Sequence, residues 1–160
     1  KRPGESWQRH RFDGPHLRDA LMDAGYLVET VETSTTWSNL ARLRTAIHHA
    51  LDHSLTSSVT RPYVMTHISH VYETGASLYT TVIAVADQTD PVGQWTAAKA
   101  AVSDAISSGG GTITHHHAIG RDHARWLPDE IGALGVATLN AVKSSLDPAG
   151  ICNPGVLGLT

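Results

Sequence analysis

Three consecutive histidines, His115, His116 and His117, lie between a glycine-rich turn and a further glycine in Gly109-Gly110-Gly111-Thr112-Ile113-Thr114-His115-His116-His117-Ala118-Ile119-Gly120. Imidazole titrates nearest neutrality of all side chains, and neighbouring imidazoles disfavour one another's protonation. The run can therefore supply a neutral proton acceptor at physiological pH. Thr112 to Thr114 read as a short extended run. If the histidines continue it, His115 and His117 project to one face and His116 to the other. Metal binding is the weaker reading, because zinc usually draws its ligands from separated positions, and no metal is expected. A polar loop is the bland alternative.

Other residues could do chemistry by type but not by pattern. Arg18 lies beside an apolar stripe, where a guanidinium either snorkels over the core or clamps an anion. Tyr79 sits on a strand face among small polar side chains, where its phenol could reach a ligand or simply bond to backbone. His49 and His53 fall at i, i+4 on a helix without the intervening glutamate of a zinc protease, and read as a solvated face. Glu29 and Glu32 alternate onto opposite faces of one strand, which rules out a paired-carboxylate site.

These residues need a scaffold, and 160 residues with 41% hydrophobic and 17% charged side chains suit one globular domain. A net charge of −3 provides no basic footprint for nucleic acid. The single cysteine, Cys152, cannot form an internal disulfide, which suits a reducing compartment. No run is long enough to span a bilayer. The opening Lys1-Arg2-Pro3-Gly4, with Met22 as first methionine, reads as a piece of a longer chain, and no P-loop or dinucleotide fingerprint is present.

Residues 1 to 12 read as irregular, anchored by Trp7 and Phe12. Asp13-Gly14-Pro15 predicts a helix start, with Leu17, Ala20, Leu21 and Ala24 as a buried stripe and Gly25 as the stop. Tyr26 to Thr33 alternates as a strand, and Ser34-Thr35-Thr36 offers caps for a helix from about Trp37 into the mid-fifties. Pro62 to His70 and Ala76 to Ala86 flank Glu73-Thr74-Gly75 as an antiparallel hairpin at the sheet's centre. On its first strand His67, Ser69 and Val71 share one face, and Ile68 and His70 the other. Asp90-Pro91 starts a helix with Val92, Trp95, Ala98, Val102, Ala105 and Ile106 inward. Arg121 to Trp126 reads as exposed. Pro128-Asp129-Glu130 opens a last helix with Ile131, Leu139, Val142 and Leu146 inward. The order predicts an α+β fold, with helices on one face of an antiparallel sheet.

The tail Leu146-Asp147-Pro148-Ala149-Gly150-Ile151-Cys152-Asn153-Pro154-Gly155 resembles the ending of the C-terminal domain of FAD-linked oxidases of the vanillyl-alcohol-oxidase type. Leu17-Arg18-Asp19, the strand Glu29 to Thr33 leading to Trp37, Thr74 to Tyr79, and Gly110 to Gly120 with Trp126-Leu127 are most similar to the alkylglycerone-phosphate synthase branch. The resemblance implies a ferredoxin-like cap domain, with FAD bound mainly by a domain upstream. It implies non-redox flavin chemistry: N5 attacks the carbon bearing the acyl ester of acyl-dihydroxyacetone phosphate, the fatty acid leaves and a fatty alcohol replaces it. By family position Arg18 would hold the phosphate, Tyr79 would donate or accept the proton, and His115, His116 and His117, chiefly His116, would assist. Thr30 would place a hydroxyl near the substrate, and Asn153 would approach the flavin.

The same resemblance implies a lipid substrate, with room for peripheral membrane contact and a homodimer, and an intracellular setting, cytoplasmic in bacteria and peroxisomal in animals. Two other readings stay open. One is a metal-assisted FAD dehydrogenase of 2-hydroxy acids such as glycolate or D-lactate, from which Tyr79 and His116 depart at two ligand positions. The other is a cofactor-free ligand-binding module on the same scaffold.

Overall fold

The computed structural model describes residues 3–57 and 59–159. Three antiparallel strands, β1 (Tyr26–Thr36), β2 (Tyr63–Val71) and β3 (Gly75–Val85), form a sheet of order β1-β3-β2, so β3 is the centre. Helices α3 (Leu40–Leu55) and α4 (Pro91–Ser108) pack on one face. This is the expected α+β arrangement.

The cause is the coincidence of two periodicities. Leu43, Ile47, Leu51 and Leu55 recur every four residues on α3, and Ala98, Val102 and Ile106 do so at similar spacing on α4. They meet Leu27, Val31, Leu78, Val82 and Ala84 from alternate positions of β1 and β3. Each fully buried aliphatic side chain contributes about 1.5–3 kcal/mol. Helix α4 starts as expected, Asp90 Oδ1 accepting the Gly93 N–H at 2.9 Å ahead of Pro91 at the first helical position.

Several apolar residues expected inside are outside. Residues Pro3–His10 form a helix, α1, instead of an irregular lead, and Trp7 and Phe12 anchor nothing: both rings are exposed, with the Arg11 guanidinium over them. Helix α2 (Gly14–Asp23) begins and stops as predicted, with Gly25 at φ 86°, but it buries no residue and Leu17 is exposed. Val92 projects from the first turn of α4 into solvent.

The last helix, α5 (Leu127–Leu146), is broken at Gly132 (φ 72°, ψ 169°), and beyond the break it buries no residue. Val142 and Leu146 are consequently exposed, as is Ile131 just before the break, while Trp126, expected outside, is buried with its indole N–H on Asp104 at 2.7 Å. Ser34, Thr35 and Thr36 belong to β1 and cap no helix; Thr35 Oγ1 donates to the Gly110 carbonyl at 2.9 Å.

Candidate functional site

The face of the sheet away from α3 and α4 carries the polar chemistry. Register places Thr30 opposite Thr81, Glu32 opposite Tyr79 and Ser34 opposite Ser77 across β1 and β3, and His67 opposite Tyr79 from β2. The expected alternation on β3, with Ser77, Tyr79 and Thr81 sharing a face, holds. On β2 it does not. A bulge between Ile68 and Val71 inserts an extra residue, so Val71 pairs with Ala76 and His70 swings to the same side as Ser69. The His70 N–H then donates to Ser77 Oγ at 2.9 Å.

The histidine run follows the free edge of β1 without forming a strand. Thr112 N–H donates to the Ser34 carbonyl and His115 N–H to the Glu32 carbonyl, each at 3.0 Å. Three residues on one side thus match two on the other, and no regular ladder can form. His116 (φ 59°) and Ala118 (φ 62°) adopt left-handed backbone, which abolishes the alternation that would send His116 to the far side.

The three imidazoles instead converge. His115 and His116 lie 4.0 Å apart between ring centroids, and His116 and His70 4.9 Å. His117 meets Tyr79 edge-on at 5.6 Å. Two imidazoles flank the phenol ring, His67 at 5.3 Å and His117 at 5.6 Å between centroids; the one from the histidine run is His117, where the family position gave His116 the chief role.

At the centre is Glu32, only 4% exposed. Its Oε1 faces His115 Nδ1 at 3.3 Å and its Oε2 faces His117 Nε2 at 3.2 Å. His70 Nδ1 lies 3.5 Å from Oε1, and Ser69 Oγ donates to the same oxygen. The hydroxyls form a line, since Ser77 and Ser69 Oγ are 2.5 Å apart and Ser77 also accepts the His70 amide. Tyr72 Oη is 2.8 Å from His115 Nε2.

Burial pushes the Glu32 carboxyl upward. The Ser69 and His115 hydrogen bonds and the nearby His115 and His117 charges outweigh it, holding the group below the usual glutamate value. Glu32 escapes sequence reading because a lone carboxylate in an alternating strand looks solvated; it becomes buried only when the histidine run folds back over β1.

The other expected site residues fall in two further places. Arg18, Thr30 and Tyr79 line an open groove between α2, the start of α4 and the sheet, together with Met22, Val28 and Ile83, and its volume is about 1260 Å³. Arg18 is exposed and pairs with Asp19 at 2.8 Å. Thr30 donates its amide to Glu29 Oε1 at 2.7 Å. The Tyr79 hydroxyl has no hydrogen-bond partner among the described residues. Asn153 lies apart, in a tail tied to the end of the histidine run by Leu157 N–H on the Gly120 carbonyl (2.8 Å) and Arg121 on the Pro154 carbonyl (2.7 Å). His49 and His53 stack at 6.2 Å on the exposed side of α3, clear of the site.

The Gly109-Gly110-Gly111 turn is a packing device. Its three amides donate to the carbonyls of Ala105, Ser107 and Ile106, leaving none for a phosphate. A Cβ on Gly111 would come within 2.6 Å of Thr33 Oγ1 and 2.7 Å of Leu43 Cδ2. The turn does not fit a dinucleotide phosphate.

Residues 2–157 match the family described as FAD linked oxidases, C-terminal domain, and the chain belongs to that family. It is 30% identical to alkyldihydroxyacetonephosphate synthase of Dictyostelium discoideum, over 95% of this chain and 25% of that protein. It is 31% identical to the Caenorhabditis elegans enzyme of the same name, over 92% of this chain and 25% of that protein. A solved alkyldihydroxyacetonephosphate synthase structure matches with a TM-score of 0.67 at 26% identity, covering 95% of this chain and 24% of that one. The chain thus spans about a quarter of the length of these relatives. No helix among the described residues is long and apolar enough to cross a membrane.

Proposed function

We propose that this chain is the substrate-binding cap and C-terminal region of an FAD-dependent transferase that exchanges the acyl chain of acyl-dihydroxyacetone phosphate for a fatty alcohol. The observation that carries the reading is the joining of two environments on one sheet face, an apolar groove with Arg18 on its lining and a histidine-rich polar cluster, with Tyr79 shared between them.

A substrate with a long alkyl chain and a phosphate needs both an apolar channel and a cation. Val28, Ile83 and Met22 suit the chain. Arg18 holds the phosphate by releasing Asp19, the guanidinium fork matching two phosphate oxygens at once. Thr30, on the same lining, offers a hydroxyl to the headgroup.

The flavin, held mainly by residues outside this chain, supplies the nucleophilic nitrogen of the exchange. This chain supplies the proton chemistry. The hydrogen on the reacting carbon must leave and return, and in this reading Tyr79 takes and gives it, with the His117 ring 5.6 Å away between centroids. His115 and His116 complete the cluster behind His117. Asn153 reaches the flavin only through the tail and has no part in the groove. Peripheral membrane contact would suit a substrate of this kind, as would a homodimer.

The test is full-length protein given acyl-dihydroxyacetone phosphate and a fatty alcohol under anaerobic conditions without an electron acceptor. Release of fatty acid matched by formation of the alkyl ether supports the reading, and turnover only with oxygen or an acceptor defeats it.

One observation favours a second reading, the metal-assisted dehydrogenase of 2-hydroxy acids. Ligand atoms of His70, His115 and His116 lie within 4.8 Å of one another, a convergence created by the β2 bulge and the left-handed His116. Glycolate or D-lactate oxidation that is lost on chelation and restored by zinc or manganese would favour it.

A further inference from the structure

Glu32 is the most buried titratable side chain of the site, and the proton chemistry described above gives it no task. Its position is specific: one oxygen faces His115 and the other faces His117, with Ser69 donating to the first. The register puts it directly across from Tyr79.

An ionised carboxylate only accepts hydrogen bonds. Neither contact is a well-aligned hydrogen bond, and His115 Nδ1 has no other partner among the described residues. Two lone pairs facing each other at 3.2 or 3.3 Å would still repel, so each ring nitrogen turned toward Glu32 carries the hydrogen. For His115 this is Nδ1, and the assignment agrees with its other nitrogen, because Nε2 is then the acceptor for the Tyr72 hydroxyl at 2.8 Å. For His117 it is Nε2, which leaves Nδ1 as the only basic atom of that ring. The same ring stands nearly perpendicular to the Tyr79 ring, 5.6 Å away between centroids.

We propose that Glu32 is a positioning residue that fixes His117 in its Nε2–H tautomer and so leaves Nδ1 as the proton-accepting atom of the ring that meets Tyr79. The inference rests on the proton-transfer role given to Tyr79 and the histidines. Glu32 touches no reacting atom; it acts by holding two imidazoles in one orientation and one tautomer, the role a carboxylate plays toward a catalytic histidine elsewhere. The serine line secures the carboxylate in turn. Ser77 donates to Ser69 and Ser69 to Oε1, so Glu32 cannot rotate away without breaking hydrogen bonds anchored on the His70 amide. Glutamine in this position could present its NH₂ group to one imidazole, which would favour the opposite tautomer there.

The experiment uses full-length protein with ring-¹⁵N histidine, long-range ¹H–¹⁵N correlation spectra assigned with His117→Gln, and kinetics of Glu32→Gln and Glu32→Asp. His117 in the unaltered protein should show the Nε2–H pattern, and Glu32→Gln should convert it to a mixture or to Nδ1–H. Turnover of that variant should fall ~10²-fold with KM held within about twofold, because the group acts on the base and not on binding. Glu32→Asp, which keeps the charge, should recover at least about tenfold of the loss.

An Nδ1–H pattern in the unaltered protein would overturn the proposal, as would wild-type turnover in Glu32→Gln or equal losses in the glutamine and aspartate variants. If Glu32→Gln does not fold, the unaltered spectrum and the aspartate variant still decide. If full-length protein performs no acyl-for-alkyl exchange, the functional reading fails, while the spectra still decide on Glu32.

Discussion

Glu32 and Tyr79 are register partners across β1 and β3, and the His117 ring lies against both, its Nε2 3.2 Å from the carboxylate and its centroid 5.6 Å from that of the phenol ring. A buried charge, an imidazole and a phenol with an unengaged hydroxyl are thus held by two strands and a loop. The strands are rigid elements whose other face is the hydrophobic core, which fixes Glu32 and Tyr79 to within a side-chain rotation.

Stability should depend on acid pH through Glu32. Its carboxyl is held below the ordinary glutamate value of 4.5, so its contribution is fully present above that value and is lost as pH falls through the lower folded-state value. The melting-temperature difference between wild type and Glu32→Gln should shrink as pH falls below 4.5. A difference that grows as pH falls would mean the carboxyl is raised.

Gly111→Ala should loosen the segment that presents the histidines. The added methyl group meets Thr33, Leu43 and Ile106, two of the contacts being under 3.0 Å, in a region where Leu43 and Thr33 are fully buried. Overpacking of this kind costs about 1–3 kcal/mol. Chemical denaturation of full-length protein checks it, and an unchanged midpoint would contradict the packing argument.

The elements around these residues were legible to different degrees, for physical reasons. Alternation in Tyr26 to Thr33 and the Asp90-Pro91 start are local signals, and β1 and α4 follow them. The apolar stripes of α2 and α5 are equally clear in sequence, but the described residues cover them only in part, so Leu17, Val142 and Leu146 lie exposed. His70 was misplaced because a bulge adds one residue and reverses every face assignment after it. The histidine run was expected to continue a strand; the left-handed conformations at His116 and Ala118 carry no signal as plain as a glycine. Glu32 was invisible as a site residue because all its partners are distant in sequence, Ser69 by 37 residues and His115 and His117 by more than eighty.

Arg18→Lys should raise the apparent constant for the phosphorylated substrate by about tenfold or more and leave flavin content unchanged, since lysine lacks the bidentate fork. Arg18 is free to change partners because its bond to Asp19 is exposed. Wild-type kinetics in the lysine variant would remove Arg18 from phosphate binding.

The 160-residue chain purified alone should carry no flavin. All three amides of its glycine turn are already committed to α4 carbonyls, so the turn can hold no phosphate, whereas the full-length protein should be yellow. Visible absorbance after desalting decides, and flavin retained by the short chain would contradict the assignment of cofactor binding to residues outside it.

The central claim is that Tyr79 transfers the proton at the reacting carbon, and Tyr79→Phe in full-length protein tests it most directly. The variant removes one oxygen that makes no hydrogen bond among the described residues, so melting temperature and flavin content should not change. Anaerobic exchange of acyl chain for alcohol should fall by ~10²–10⁴-fold, the usual contribution of a positioned acid or base. Exchange at the wild-type rate in Tyr79→Phe would contradict the account.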